Sequence, residues 1–386
     1  MNLAERIARR RSAHRTSGIV VNRNHLSPVV HRSEPVGRGP ILEQLLDALE
    51  PVFDDELPES AAVVGSAGSG TSAIVTALFD ALNERLGEST RTIGTTTRAG
   101  SSGTVTWFVY VDARRVGSPF SFYRTVLSMI SSESVPESGV GTDDLRERLQ
   151  SRLSRPDRRA VVAIDHHDEP ETLGYDRVRE LLDPVDDGVA TVAVGQTEPA
   201  DWTGTTVTVP AYRHHELADV VTDRTSTGLT AGTLDHDTVR EIAIWADGNA
   251  HDALAAVFAA AVAAVGDDAD RIERTHLETA MDDVPDRGVH VDRALSLSET
   301  RQRVLCNLID VDAADRPIRE VATEIADRSE LTAGTVKRFL YELAERGVIE
   351  RVPLETNGSG RRPSTVVPRF PTIAFRALAA TDDESS

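Results

Sequence analysis

The sequence predicts an α/β fold in three parts: a P-loop domain on a parallel sheet, a helical domain, and a C-terminal winged helix-turn-helix. Three observations carry this. Residues 65–72 read Gly-Ser-Ala-Gly-Ser-Gly-Thr-Ser behind the apolar run 61–64, a strand, loop and helix start of the phosphate-cradling kind. Further β-like runs at 106–111, 160–164, 189–194 and 205–209 follow, with helical patterns between the earlier ones, as parallel strands joined by crossover helices require. Beyond Pro210 the pattern is helical until the chain closes on three helices and two β-like runs around a Gly/Ser/Arg-rich loop.

Taken in order, residues 1–33 read as a basic arm with little periodicity, expected to be extended. A helix follows the segment Pro-Val-Gly-Arg-Gly-Pro at 35–40, with Ile41, Leu45, Leu46 and Leu49 on one face. In the loop, Gly65, Gly68, Ser69, Gly70, Thr71 and Ser72 are the candidate nucleotide-binding residues, because backbone N–H groups and a helix N-terminus there would face phosphate oxygens. Thr71 stands where the pattern has lysine, and it cannot supply the charge that offsets β- and γ-phosphates. General lysine scarcity is a poor explanation, since arginine would be the nearer replacement. Ile74, Val75, Leu78 and Leu82 then give helical spacing.

The sheet domain is read as 34–210. Helical patterns at 215–224, 235–246, 250–265 and 276–282 make 211–290 a second, helical domain. Helices at 300–310, 318–328 and 333–346, with β-like runs at 348–352 and 365–367, make 291–372 a winged-helix DNA-binding domain, and 373–386 an acidic tail.

The chain has 42 basic and 62 acidic residues, a net charge of −20, and Lys337 is its only lysine. Such a surface looks like that of a protein from a high-salt cytoplasm, and it bears on partners rather than on fold. The charge is uneven: residues 1–34 carry seven arginines against two acids, and residues 301–370 carry twelve basic against eleven acidic side chains. An anionic partner is tolerated best at these two ends. At molar salt the Debye length falls to about 3 Å, so the acidic body does not exclude DNA. The lone Cys306 excludes a disulfide framework and a cysteine-rich metal site, and implies a cytoplasmic protein. The arginine-rich start lacks the apolar core of a secretory signal. The longest apolar stretch, 253–265, falls short of the roughly 20 residues needed to cross a bilayer, and reads as a buried alanine-rich helix.

Two clusters invite chemistry. Asp165, His166, His167, Asp168 and Glu169 offer groups that suit zinc or iron, but adjacent residues at a strand end point in different directions, and no spaced His partner is present. No metal is expected, and His214-His215 reads as a helix-start pair. In the last domain Thr332 is a candidate N-cap for a helix whose Val336, Leu340 and Leu343 face inward, leaving Thr335, Lys337, Arg338 and Tyr341 for a DNA groove. Arg361 and Arg362 follow Gly358-Ser359-Gly360 in the wing loop, where they would approach phosphates or a minor groove. A winged helix that docks protein is the competing reading.

The order of these parts resembles the archaeal and eukaryotic origin-recognition and cell-division-control initiators of the AAA+ superfamily. Residues 35–40 are similar to that family's box before the first helix. Val209-Pro210-Ala211-Tyr212, with His214-His215-Glu216-Leu217 and Asp223-Arg224, is similar to its entry into the lid. The resemblance implies an AAA+ P-loop domain with a helical lid and a winged helix, in a haloarchaeal, degenerate member. It also implies double-stranded DNA, related initiator subunits or a second copy as partners, and no membrane.

The departures fall on the chemistry. Asp165 keeps the magnesium-side aspartate, but His166 stands where a glutamate activates water. Gln196-Thr197 replaces the first sensor, residues 197–210 contain no arginine for a finger, and His251 takes the place of the second-sensor arginine. Loss of an arginine finger alone costs on the order of 10³- to 10⁵-fold in rate. The resemblance therefore implies weak ATP or ADP binding with magnesium through the loop, Ser72 and Asp165, little or no hydrolysis, and no catalytic residue. A loop that survives only as a strand-to-helix turn is the alternative. Two further readings stay open: an active ATP-dependent origin-binding initiator and helicase loader, and a signalling-NTPase-type scaffold that does not bind DNA.

Overall fold

The computed structural model describes residues 18–95, 104–131, 133–311, 313–354 and 362–383. Two compact units emerge, one spanning His31–Ala211 and one built from the described parts of Met1–Val30 and Tyr212–Ser386.

In the first unit five strands, β1 (Ala61–Gly65), β2 (Val105–Asp112), β3 (Arg158–Asp165), β4 (Val189–Gly195) and β5 (Thr205–Val209), form one sheet in the order β2-β3-β4-β1-β5. Every neighbouring pair is parallel. A parallel sheet is covered on both faces, so its central strands must be apolar throughout, and all of β4 is buried. The period of two then divides the core. Val162 and Ile164 point to one face with Val126 of α4 (Pro119–Ile130), Leu149 of α5 (Thr142–Leu153) and Val178 of α6 (Tyr175–Leu182). Val161 and Ala163 point to the other, with Leu45 of α2 (Gly39–Ala48) and Ile74 and Phe79 of α3 (Thr71–Thr95). Local chemistry sets the helix starts: Ser118 and Ser121 form a reciprocal capping box ahead of Pro119.

Register places the chemistry. Asp112 lies beside Asp165, Asp165 beside Val194, and Gly65 beside Val209, so the loop after β1 and the aspartate of β3 share the carboxyl edge of the sheet. There β1 sits between β4 and β5, a switch in strand order of the kind where open α/β sheets take ligands.

The second unit contains α7 (His214–Gly228), α8 (His236–Trp245), α9 (Ala250–Gly266) and α10 (Arg274–Asp282). Asp235 and Asn249 cap α8 and α9 through their side chains. Helix α9 is the alanine-rich stretch, and alanines 253, 255, 256, 259, 260 and 261 are buried on its successive faces. Residues 18–30, expected to be extended, instead pack here through the single turn α1 (Arg23–Leu26). Leu26 lies where a Cβ at Gly228 would meet its side chain at 2.5 Å, and the buried Arg224 donates to the carbonyls of Ser27 (2.6 Å) and Val30 (2.7 Å). One turn of helix is too short to leave a periodic signal.

Helices α11 (Val291–Leu295), α12 (Glu299–Asp310), α13 (Ile318–Asp327) and α14 (Ala333–Glu345) follow, then an antiparallel ribbon of β6 (Ile349–Pro353) and β7 (Ser364–Pro368). The stretch read as an acidic tail folds instead as α15 (Thr372–Asp383). Its acids cluster at the end and disguise a buried face, Ala374 and Phe375, with Phe375 edge-on to Phe370 at 4.9 Å. No helix among the described residues is long and apolar enough to cross a membrane.

Candidate functional site

The loop after β1 has the backbone of a phosphate cradle. Gly68 (φ 70°) and Gly70 (φ 92°) take left-handed conformations that side chains resist, and α3 starts at Thr71. Gly65 is required by packing, since a Cβ there would stand 2.5 Å from both Ser69 Oγ and the Val209 carbonyl. Ser69 is fully buried, while Thr71 and Ser72 are partly buried on the first turn of α3. The loop is held from outside by a residue that sequence reasoning placed only inside the 35–40 box. Arg38, 2% exposed, donates to the carbonyls of Ser69 (2.6 Å) and Pro210 (2.8 Å).

Asp165 closes β3 and is 1% exposed. Its Oδ2 accepts the Tyr110 hydroxyl at 2.5 Å and its Oδ1 accepts the His166 amide at 2.8 Å. Burial, and then the Asp165 charge, push the Tyr110 hydroxyl well above the usual phenol range, so it remains a donor. His166 sits in the left-handed region (φ 59°), with Nδ1 3.0 Å from Glu169 and Nε2 3.6 Å from Asp165. Asp112 is held by Arg114 through both carboxylate oxygens, at 2.9 and 3.0 Å. Burial acts to raise the Asp112 pKa, but the Arg114 hydrogen bonds and charge outweigh it and leave the carboxyl below its usual range. Neither Tyr110 nor Arg114 was legible as part of this edge, because only the β2–β3 register brings them to it.

Asp168 has a structural task. Its Oδ2 accepts the amides of Gln196 (2.8 Å) and Thr197 (2.9 Å), so the segment after β4 is pinned as a turn. His167 is buried against Tyr175, and its Nε2 has no hydrogen-bond partner among the described residues. Burial lowers its pKa below the usual 6.5, against the pull of Asp168 and Asp165. The folded state therefore keeps the ring neutral, whereas the unfolded chain takes up a proton near pH 6.5. Stability is expected to fall as pH drops below 6.5, by up to about 1.4 kcal/mol per unit, and His167→Gln should flatten that slope. Denaturant unfolding at three pH values between 5 and 8 checks this; equal slopes in both proteins would refute it.

The loop has the backbone that a phosphate cradle requires, with Thr71 on the first turn of α3 and Asp165 on the same sheet edge. Backbone N–H groups of residues 68–72 would hold a phosphate and Ser72 with Asp165 the magnesium side. No lysine stands at 71, and an imidazole replaces the carboxylate at 166.

In the second unit His251, expected from the resemblance to stand in for the second-sensor arginine, is used internally. Its Nε2 accepts the Val291 amide at 2.9 Å, its Nδ1 lies 3.3 Å from Asp252, and its ring stacks on His290 at 3.9 Å. These three side chains bring ligand atoms within 4.8 Å of one another. Both nitrogens of a neutral His251 ring are already committed, which leaves no lone pair for an ion. His214 and His215 open α7, with His214 3.6 Å from Asp247.

Helix α14 buries Val336, Leu340 and Leu343. Thr332 caps it by accepting the Thr335 amide, and the two hydroxyls lie 3.0 Å apart, so Thr335 is partly spent on the cap. Lys337 and Arg338 are exposed. Tyr341 lies between Lys337 Nζ (5.8 Å from its ring) and Arg351 of β6 (4.5 Å), a partner the sequence did not suggest. Arg362 is exposed beside β7, and Arg361 lies outside the described residues.

Residues 34–194 match the AAA ATPase domain family. Among solved structures the chain is similar to the ORC1 protein of Aeropyrum pernix, solved in complex with DNA. That match has a TM-score of 0.62 and 21% identity, covering 95% of this chain and 98% of that one. It is also similar to Cdc6p of Pyrobaculum aerophilum (TM-score 0.53, 15% identity, 95% and 100% covered). The ORC2 protein of Aeropyrum pernix, solved as ADPNP–ADP complexes, matches with TM-score 0.55 and 14% identity over 96% and 100%. The fold is that of the Orc/Cdc6-type AAA+ proteins. No curated protein sequence matches the chain. Within this AAA+ fold the β1 loop, Asp165 and the turn at 195–197 occupy one sheet edge.

Proposed function

We propose that the chain is a DNA-binding, initiator-like AAA+ protein with a degenerate nucleotide site, related to replication initiation. Residues 291–372 act as a winged helix that contacts double-stranded DNA, through α14 in a groove and Arg361 and Arg362 in the wing. Domains 34–210 and 211–290 serve as the AAA+ core and lid, which bind ATP or ADP with magnesium weakly, hydrolyse little or none, and assemble with related initiator subunits or a second copy. The acidic, lysine-poor composition suits a high-salt cytoplasm.

The observation that carries this reading is the outer face of α14. The chain's only lysine and Arg338 stand exposed beside a tyrosine backed by Arg351, while the opposite face is core. The DNA in the Aeropyrum pernix ORC1 structure is a property of that protein, and it supports the reading by analogy of fold. Titration of a labelled duplex by anisotropy tests it. The double variant Lys337→Ala, Arg338→Ala is expected to bind at least about tenfold more weakly, with a slope of log K against log salt shallower by about 1.8. Undiminished binding would remove α14 from the interface, and no binding by the wild type would favour a protein scaffold.

A further inference from the structure

The last helix, α15, follows β7 and lies beyond the three helices and the ribbon of the winged-helix reading. Its residues Ala374 and Phe375 are fully buried. It packs on α9 on one side and on α11 and α12 on the other, and so joins the helices of 211–290 to the last domain. Residues 283–290 connect α10 to α11, and the segment 369–373 lies across them.

This connection is held along its length. At its start Asp283, which ends α10, takes the Thr372 hydroxyl on Oδ1 and the Ile373 amide on Oδ2 (2.8 Å), capping α15 from 90 residues away. An amide in the first turn of a helix has no acceptor inside that helix, so the carboxylate satisfies a donor that α15 cannot. Further along, the Val289 amide donates to the Arg369 carbonyl (2.6 Å), and the Arg369 guanidinium donates to the Arg287 carbonyl (2.8 Å). The two backbones cross so closely that a Cβ on Gly288 would stand 2.6 Å from the Arg369 carbonyl oxygen. Beyond the connection, the Val291 amide is taken by His251 of α9. The helix itself is tied down twice more. Arg376 pairs with Asp310 of α12, and Arg23 of α1, 5.3 Å from the Phe258 ring of α9, donates to the Ala377 carbonyl at 2.5 Å.

We propose that α15 is a clasp: it fixes residues 283–289 and thereby sets how α14 is presented to DNA, a role that rests on the winged-helix reading above, with Asp283 as a positioning residue that touches no DNA. Ordering an eight-residue connection costs conformational entropy, which the hydrogen bonds to Asp283 and Arg369 offset. Few groups do the holding, so the clasp opens at a lower cost than unfolding either domain. Burial pushes the Asp283 carboxyl above its usual range, against the hydrogen bonds from Thr372 and Ile373. Geometry rather than charge therefore makes the cap, and an amide at this position serves as well.

The test uses the full chain. Trypsin cutting after Arg287, an exposed residue inside the held connection, is followed by mass spectrometry of the 288–386 fragment, and binding of a labelled duplex by anisotropy; melting curves report on folding. Asp283→Ala is expected to be nicked at least about tenfold faster, the worth of one hydrogen bond to a charged group. It is expected to bind duplex at least about fivefold more weakly. The slope of log K against log salt should stay unchanged, because no phosphate contact is lost. Asp283→Asn keeps an acceptor for the Ile373 amide and is expected to match the wild type in both readouts. Thr372→Val removes one donor without opening a cavity and should speed nicking by a smaller factor, which decides the matter should the alanine variant fail to fold. Equal nicking of the wild type and both releasing variants overturns the clasp. Faster nicking with unchanged duplex affinity overturns the positioning role. A wild type that binds no duplex would remove the winged-helix reading and the positioning role with it, while the nicking rates would still judge the clasp.

Discussion

Replacing Thr71 with lysine is expected to tighten ATP binding by about 10- to 100-fold, the worth of one new hydrogen bond to a charged group. The backbone that such a lysine needs is already present. Gly68 and Gly70 hold left-handed conformations, Gly65 clears the crossing with Val209, and α3 begins at residue 71. What the loop lacks is a cation, and Thr71 is where the pattern puts it. Hydrolysis is expected to stay negligible in the variant, because His166 lies between Glu169 and Asp165 and offers no carboxylate to a water. Calorimetry with ATP and ADP in magnesium, on wild type and Thr71→Lys, reads both points. No gain in affinity would mean that the loop persists only as a strand-to-helix turn; a gain with turnover would restore the active-initiator reading.

Loss of Arg38 is expected to lower the stability of the sheet unit by about 3 kcal/mol, because the buried carbonyl of Ser69 and the part-buried carbonyl of Pro210 lose a charged donor at once. Arg38 is 2% exposed, and its guanidinium bridges the loop carbonyl of Ser69 to that of Pro210, 172 residues away along the chain from Arg38. For a unit of this size the corresponding fall in Tm is about 6–12 °C. Thermal unfolding of Arg38→Ala, followed by calorimetry, tests it, and Arg38→Lys should recover part of the loss by restoring one charged donor. An unchanged transition would mean that water replaces the arginine. Because Arg38 also fixes the loop, the alanine variant should lose whatever nucleotide affinity the wild type has.

Much of the candidate site was legible along the chain, but its wiring was not. The glycines of the loop, Asp165 at the end of an apolar strand, and the inward face of α14 are local patterns with local causes. Tyr110 and Arg114 carry no such signal, since they are ordinary strand-end residues until β2 pairs with β3 in a register that sets Asp112 beside Asp165. The same applies to His251, which reads as a substituted sensor and is in fact satisfied by the Val291 amide within its own unit. Two misreadings had one origin. Residues 18–30 and 372–383 looked polar or aperiodic because each buries only a few apolar side chains among those described, Ile19 and Leu26 in one and Ala374 with Phe375 in the other.

By itself the sequence determined the parallel α/β class, the phosphate-cradle backbone and the missing cation, because hydrophobic periodicity and glycine conformation act over a few residues. Only the tertiary structure decided which polar groups meet. Hydrogen bonds such as Arg38 to Pro210 and Tyr110 to Asp165 depend on strand register and helix packing between segments far apart in the chain, and those distances are set only when the core closes.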